Sequence, residues 1–517
     1  MNYVFSMQSG ECFWGGSSND GVKMPFYESS DFESDYRKNS ENQTMPMFIS
    51  NKGRCIWSEY PFKIAFKKGE ILIEGEGVTI ETFGNSLKDA YIGAMNKHFS
   101  PRGNILPEEF FKTPQYNTWM QMTYFQSQTA VLKYAREIIE NGFKPGILMI
   151  DEGWQRDYGN WSFDESKFPD PKGMIDELHK MGFKVMLWVV PYVRADGLFF
   201  INHTLDILEN EAYNENLFLR DKDGDIYICH WWNGYSAILD MTKEEDRSFM
   251  DKQLKMLMTD IGIDGFKFDG GTLEDYTGIK SANKSVNEDH TPAERNIAWN
   301  EFGSKYTYHE YKDSFKAGGK RTIQRIRDKL HAWGDNGLSD LMPNAIAQGL
   351  LGYPFICPDM VGGGDWIVKA RKLPIDEELF VRMAQCSALF PMMQFSWAPW
   401  EALDSEHLSY VKAAHDLHIA FSDTILALID DSYKTGEPIL RNLEYNYPDS
   451  GYQRITDEYM LGEKILVAPV IKKGQTIRTV ILPEGKWHGF DGKIYHGGKT
   501  YEIPVKLADL PCFILQK

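Results

Sequence analysis

The chain has 517 residues, enough for several domains around a large core. Its formal net charge of -18 argues against nucleic acid and anionic membrane surfaces as partners, and no run of about 18 apolar residues offers a membrane span. Aromatic residues make up 14% of the chain, with 14 Trp and 26 Tyr. Most of these rings must build the core, but flat rings also cover the apolar faces of sugars. The six Cys, at positions 12, 55, 229, 357, 386 and 512, form no CxxC pair and no Cys/His cluster at metal-site spacing. They read as reduced thiols of a cytoplasmic protein that needs no metal or cofactor. The opening Met1-Asn-Tyr-Val-Phe-Ser-Met has neither the basic nor the long apolar stretch of a secretory leader.

In chain order, residues 1–108 carry short alternating runs at Phe62–Phe66, Glu70–Gly75 and Val78–Thr82, which predict a small N-terminal β domain. The polar stretch 27–45, with Asp31, Glu33 and Asp35, reads as a solvated loop. From Gln115 the period changes. Strands are predicted at Gln115–Met122, Gly146–Ile150, Lys184–Val193, Gly265–Phe268, Thr322–Asp328, Pro354–Cys357, Met392–Trp397 and Pro438–Leu443. Helical spacing fills the gaps at Ser127–Gly142, Asp170–Gly182, Glu244–Gly262, Leu338–Gly352, Asp376–Phe390 and 407–432. Alternating strands and helices over residues 109–445 predict a (β/α)8 TIM barrel with insertions at about 194–240 and 272–320. Residues 446–517 return to strands and Gly turns and predict a C-terminal β-sandwich.

Two of these strands end in an acid followed by glycines: Gly265-Phe-Lys-Phe-Asp269-Gly-Gly and Phe355-Ile-Cys-Pro-Asp359-Met-Val-Gly-Gly. An Asp at such a place also caps helices. Two carboxylates at two strand tips of one barrel are, however, what retaining glycoside cleavage needs: one ionised nucleophile, and one protonated acid about 5 Å away. Lys267 shares a strand face with Asp269, two residues away, so it favours the charged nucleophile. Asp359 has only apolar sequence neighbours, which raise a carboxyl pKa as a general acid requires. Local sequence therefore assigns Asp269 as nucleophile and Asp359 as acid/base. Asp151, closing the second strand beside Glu152, is the candidate hydroxyl ligand. Trp119, Trp154, Trp188 and Trp397 are candidate sugar walls, each with a plain core reading beside it.

With these residues in place, the chain resembles glycoside hydrolase family 31, the retaining exo-acting α-glycosidases. The resemblance runs from about Phe13 to the C-terminus. It rests on the Lys267-Phe-Asp269 strand, on Asp359-Met-Val-Gly-Gly, and on Tyr459-Met-Leu-Gly with Leu466-Val-Ala-Pro-Val. It implies a catalytic barrel between β domains, and a sugar subsite of Asp151, Trp188 and Lys267. Many family α-glucosidases carry an Arg sixteen residues before the acid/base, where Asp359 leaves Pro343. They also carry a His after the seventh strand, where this chain has Gln394-Phe-Ser-Trp397. The Asp151-Glu-Gly-Trp segment is similar to the branch that includes the myogenesis-regulating glycosidase, which implies a glycoside substrate of α-galactoside type. An α-glucosidase or other α-hexosidase of the same family, and a catalytically silent glycan-binding protein on the same fold, are the alternatives. Self-association is compatible with the acidic surface and is not demanded by it.

Overall fold

The computed structural model describes residues 1–38, 42–209, 217–278, 280–281 and 285–516. Parts of the two predicted insertions (210–216, 279 and 282–284) and of the predicted polar loop (39–41) lie outside the described residues.

The centre is a closed parallel barrel. Strands β1 (Gln115–Asn117), β2 (Ile147–Ile150), β3 (Lys184–Val189), β4 (Gly265–Phe268), β5 (Tyr308–Tyr311) and β6 (Ile323–Arg325) pair in that order, all parallel. Strand β7 comes in two pieces: Ile356–Cys357 pairs with β6, and Met360–Val361 pairs with β8 (Gln394–Phe395). Pairing of β8 with β1 closes the ring. The chain is thus a (β/α)8 barrel flanked by sheet-rich domains.

Local chemistry explains the outer helices. Helix Gln128–Glu140 starts where the Ser127 side chain accepts the Ala130 N–H, and it buries Val131, Leu132, Ala135 and Ile138. Helix Pro171–Lys180 has Asp170 as its cap and Pro in the first turn, where no amide hydrogen is needed.

The strand count differs from the sequence reading in two places. Tyr308–Tyr311 lies inside the predicted 272–320 insertion. It is Tyr-His-Glu-Tyr, with no apolar run to mark it, yet all four residues are buried. Thr322–Asp328 therefore holds the sixth strand, not the fifth. The predicted eighth strand, at Leu440–Arg441, pairs antiparallel with Tyr459–Leu461 and belongs to the C-terminal sheet. That sheet continues through Ile465–Val467, Cys512–Leu515, Lys486–Gly489 and Ile494–His496, and its core includes Leu466, Trp487 and Phe513.

The N-terminal domain is two antiparallel sheets. The predicted solvated loop is partly a strand, Asp31–Asp35, paired with Lys63–Lys67. The end of that stretch docks on the barrel: Asn42 Nδ2 donates to Lys312 O at 2.9 Å, and Gln43 Nε2 donates to Arg325 O at 2.9 Å. Strand Ser314–Phe315, just after β5, pairs in parallel with Gln43 and Thr44 and fastens the domain to the barrel rim. Among the described residues no helix is long and apolar enough to cross a membrane.

At Gly265, β4 runs so close to β5 that a Cβ would sit 2.0 Å from Tyr308 O. A backbone atom cannot step aside cheaply. Gly265→Ala should therefore cost about 1–3 kcal/mol, read as a lower midpoint of the barrel transition in calorimetry; an unchanged midpoint would show that the two strands have room to part.

Candidate active site

The tips of β2, β4, β5 and β6 bring Asp151, Asp269, Lys312 and Asp328 to one end of the barrel, the end where barrels of this kind carry their chemistry. Two connected cavities open there. The inner one, about 370 Å³, is lined by Trp119, Tyr124, Asp151, Glu152, Trp188, Lys267 and Met360 among others. The outer one, about 450 Å³, is lined by Asn42, Thr272, Glu274, Lys280, Asp313, Lys329 and Asp365 among others. Six residues line both: Trp232, Asp269, Lys312, Asp328, Gly364 and Trp366. Asp269 and Asp328 are the carboxylates at this neck.

Asp269 is buried. Its Oδ2 accepts the Trp188 indole N–H at 2.9 Å, and its Oδ1 accepts the Gly270 amide at 2.8 Å. The Lys267 ammonium contacts Asp151 Oδ2 at 2.8 Å and stands 3.9 Å from Asp269 Oδ2. Sequence spacing put Lys267 beside Asp269; the structure gives its direct hydrogen bond to Asp151. Asn117 Nδ2 donates to the same Asp151 oxygen at 2.6 Å. Burial opposes ionisation of Asp151, yet Lys267 and Arg325 outweigh it and hold the carboxyl below the usual range.

Glu152 also lines the inner cavity, so both acids at the β2 tip face it. Tyr158 donates to Oε1 at 2.7 Å, Asn233 Nδ2 donates to the same oxygen, and the Trp232 indole reaches Oε2 at 3.3 Å. Trp232 and Asn233 form the turn of the hairpin Ile228–Trp231/Gly234–Ile238, inside the predicted insertion. Burial pushes the Glu152 carboxyl up to about 7, with the neighbouring Asp151 and Asp269 adding to the rise.

Asp328 lies three residues past the end of β6, and its side chain is 45% exposed. Lys312 Nζ contacts Oδ2 at 2.7 Å, and Arg325 Nη2 is 3.8 Å from Oδ1. Partial loss of water at the neck opposes ionisation here too, but Lys312 and Arg325 hold the carboxyl well below the carboxylate range.

Asp359 does not stand in the cleft with Asp269. Its side chain is fully buried and lines neither cavity. Oδ1 accepts from Arg325 Nε at 3.0 Å and from Nη2, and Oδ2 accepts the Lys329 amide at 2.7 Å. Gly364, which lines both cavities, lies against it: a Cβ there would be 3.4 Å from Asp359 Oδ2. Its sequence neighbours are apolar, but the guanidinium comes from the adjacent strand, out of reach of a reading along the chain. The arginine expected sixteen residues ahead of the acid falls on Pro343 when counted from Asp359, and Pro343 is inside helix Leu338–Leu350. Counted from Asp328 the position is Lys312, which lines both cavities.

Among the predicted walls, Trp119 and Trp188 line the inner cavity. Trp154 does not: it is fully buried, its indole N–H donates to Trp188 O at 2.8 Å, and its ring packs on Phe163. Trp397 stands behind the glycine loop, donating to Gly363 O at 3.1 Å. Trp232 and Trp366 escaped the sequence reading. They are 54% and 47% exposed at the neck, unusual for such large rings.

Residues 113–421 match the family model "Glycosyl hydrolases family 31 TIM-barrel domain", and residues 436–516 match "Glycosyl hydrolase family 31 C-terminal domain". The chain belongs to glycoside hydrolase family 31. It is 30% identical over 437 residues to the myogenesis-regulating glycosidase of Mus musculus, covering 83% of this chain and 58% of that protein. It is 25% identical over 417 residues to alpha-glucosidase 2 of Bacillus thermoamyloliquefaciens, covering 76% of this chain and 51% of that one. The chain thus spans little more than half the length of these relatives. A Flavobacterium johnsoniae family 31 dextranase complexed with glucose shares the fold, with TM-score 0.84 at 18% identity, over 99% of this chain and 66% of that one.

The Glu152 shift sets a sign for stability. Its carboxyl is easier to keep neutral in the folded protein than in the unfolded chain, so its contribution is fully present below pH 4.5 and is lost as pH rises through about 7. Glu152→Gln removes that loss. The melting temperature of the variant relative to the parent should rise between pH 5 and pH 8; a difference independent of pH would mean that Glu152 titrates normally.

Proposed function

We propose that the chain is a retaining exo-acting α-glycosidase, with Asp269 as nucleophile and Asp328 as acid/base. The observation that carries this reading is the neck: of all the acids around the two cavities, Asp269 and Asp328 line both. A terminal sugar filling the inner cavity and a leaving group in the outer one would put the scissile bond between these two carboxylates.

In the first step Asp269 attacks the anomeric carbon while a proton from Asp328 goes to the departing oxygen. In the second, ionised Asp328 takes a proton from water as the water oxygen bonds to the anomeric carbon and the bond from that carbon to Asp269 breaks. The Lys312 contact suits the ionised form needed in the second step. For the first step, a sugar in the inner cavity strips water from the neck, and desolvation moves a carboxyl toward its protonated form. Lys267 spends one N–H on Asp151, so its other protons are available to sugar hydroxyls. Trp232 and Trp366 offer ring faces where the leaving group emerges.

For the sugar, we favour an α-galactoside. Asp151 and Glu152 are consecutive, both face the inner cavity, and flank the region reached by Lys267. Adjacent acceptors suit a cis pair of hydroxyls, which an axial 4-hydroxyl provides. The alternative, an α-glucoside, is supported by the name of the Bacillus relative. A panel of aryl α-glycosides separates them: galactoside turnover should lead, and glucoside turnover well above it would reverse the order. Asp269→Asn should lower kcat/KM by several orders of magnitude on every member of the panel; retained turnover would remove the nucleophile assignment.

A further inference from the structure

The most strained acid beside the site has no place in the chemistry above. Strand β7 breaks at Asp359, which adopts φ +74, a left-handed conformation that a non-glycine residue keeps only when its surroundings enforce it. Three hydrogen bonds enforce it here. One oxygen holds the Arg325 fork at the end of β6, and the other holds the Lys329 amide. Asp328 lies between those two residues, so one buried carboxylate grips both ends of the segment that carries it.

The charges around Asp328 show what that grip does. Lys312 comes from the segment after β5, Arg325 from β6, Lys267 and Asp269 from β4, Lys329 from its own segment and Asp359 from β7. Lys312 already spends its contact on Asp328. Arg325 is buried, and its Nη1 has no hydrogen-bond partner among the described residues, the Glu310 carboxylate being 4.0 Å away. Its remaining strong partner is Asp359, and Asp328 Oδ1 waits at 3.8 Å. A buried guanidinium that loses one carboxylate takes the next one in reach.

We propose that Asp359 is a positioning residue for the acid/base: it clamps the two ends of the Arg325–Lys329 segment and keeps the Arg325 guanidinium from closing onto Asp328. This rests on the reading of Asp328 as the acid. Without the clamp, Arg325 would fork Asp328, hold it ionised and turn it from the leaving oxygen. Proton donation would suffer, while attack by Asp269 would not be directly affected.

The test uses Asp359→Asn in the full chain, since Asn tolerates the left-handed region. kcat/KM is measured against pH on two glycosides of one sugar: a dinitrophenyl glycoside, whose leaving group needs no proton, and an alkyl glycoside, whose leaving group does. The expected result is a loss of about 100-fold or more on the alkyl glycoside, at least tenfold larger than on the aryl one, with the basic limb of the alkyl profile moved to lower pH. Asp359→Gly, which accepts the left-handed backbone and also frees the guanidinium, serves if the Asn variant fails to fold and should show the same selectivity. Asp328→Asn is the reference. If it shows the leaving-group selectivity and the Asp359 variants lose both substrates equally at every pH, the clamp is overturned and the acid assignment stands. If Asp328→Asn itself lacks the selectivity, the acid assignment fails and the proposal with it.

Discussion

A single buried ion pair, Lys267 on β4 with Asp151 at the tip of β2, underlies the arrangement of the inner cavity. A charged pair inside a barrel is tolerated only when its geometry is good and its remaining valences are used, because both charges have left water. Here Asn117 and the Glu152 amide complete the shell of Asp151. The pair ties together two strands that are separated by β3, and it fixes the ammonium that faces the inner cavity. Breaking it from one side would strand a buried charge, at a cost of roughly 3–5 kcal/mol. The same logic recurs at the neck, where Lys312 and Arg325 divide themselves among Asp328, Asp359 and Glu310. The site is a network of alternating charges in which Lys267 and Arg325 are each shared between carboxylates.

The N-terminal domain takes part in that balance. Asn42 and Gln43 hold the backbone carbonyls of Lys312 and Arg325, the two cations that flank Asp328. Strand Ser314–Phe315 joins the domain's own sheet directly after Lys312. The cations beside Asp328 are therefore set by contacts from outside the barrel.

Much of the fold could be read along the chain because its signals are local. Caps at Ser127 and Asp170, apolar runs at Gly146–Ile150 and Lys184–Val189, and the acid-glycine ending of β4 all lie within a few residues of what they determine. Strand β5 was not legible, since Tyr308-His-Glu-Tyr311 carries polar atoms on both faces: Glu310 meets Gln115 and Arg325 inside the barrel, and Tyr311 donates to Trp299 O on the covering helix. Asp359 and Asp328 resist reading along the chain for a related reason. The environment of Asp359 comes from Arg325 on the adjacent strand, and that of Asp328 from Lys312, so neither is visible in flanking sequence. Trp154 and Trp397 sit at positions that resemble those of Trp119 and Trp188 in the sequence, and only the direction of each ring separates core from cavity.

The proposed double displacement needs both carboxylates of one neck. Proton NMR of the sugar released in the first moments of hydrolysis tests that most directly. The α anomer should appear first and equilibrate later; early β anomer would mean that water attacks the substrate itself, and that Asp269 forms no bond to the sugar.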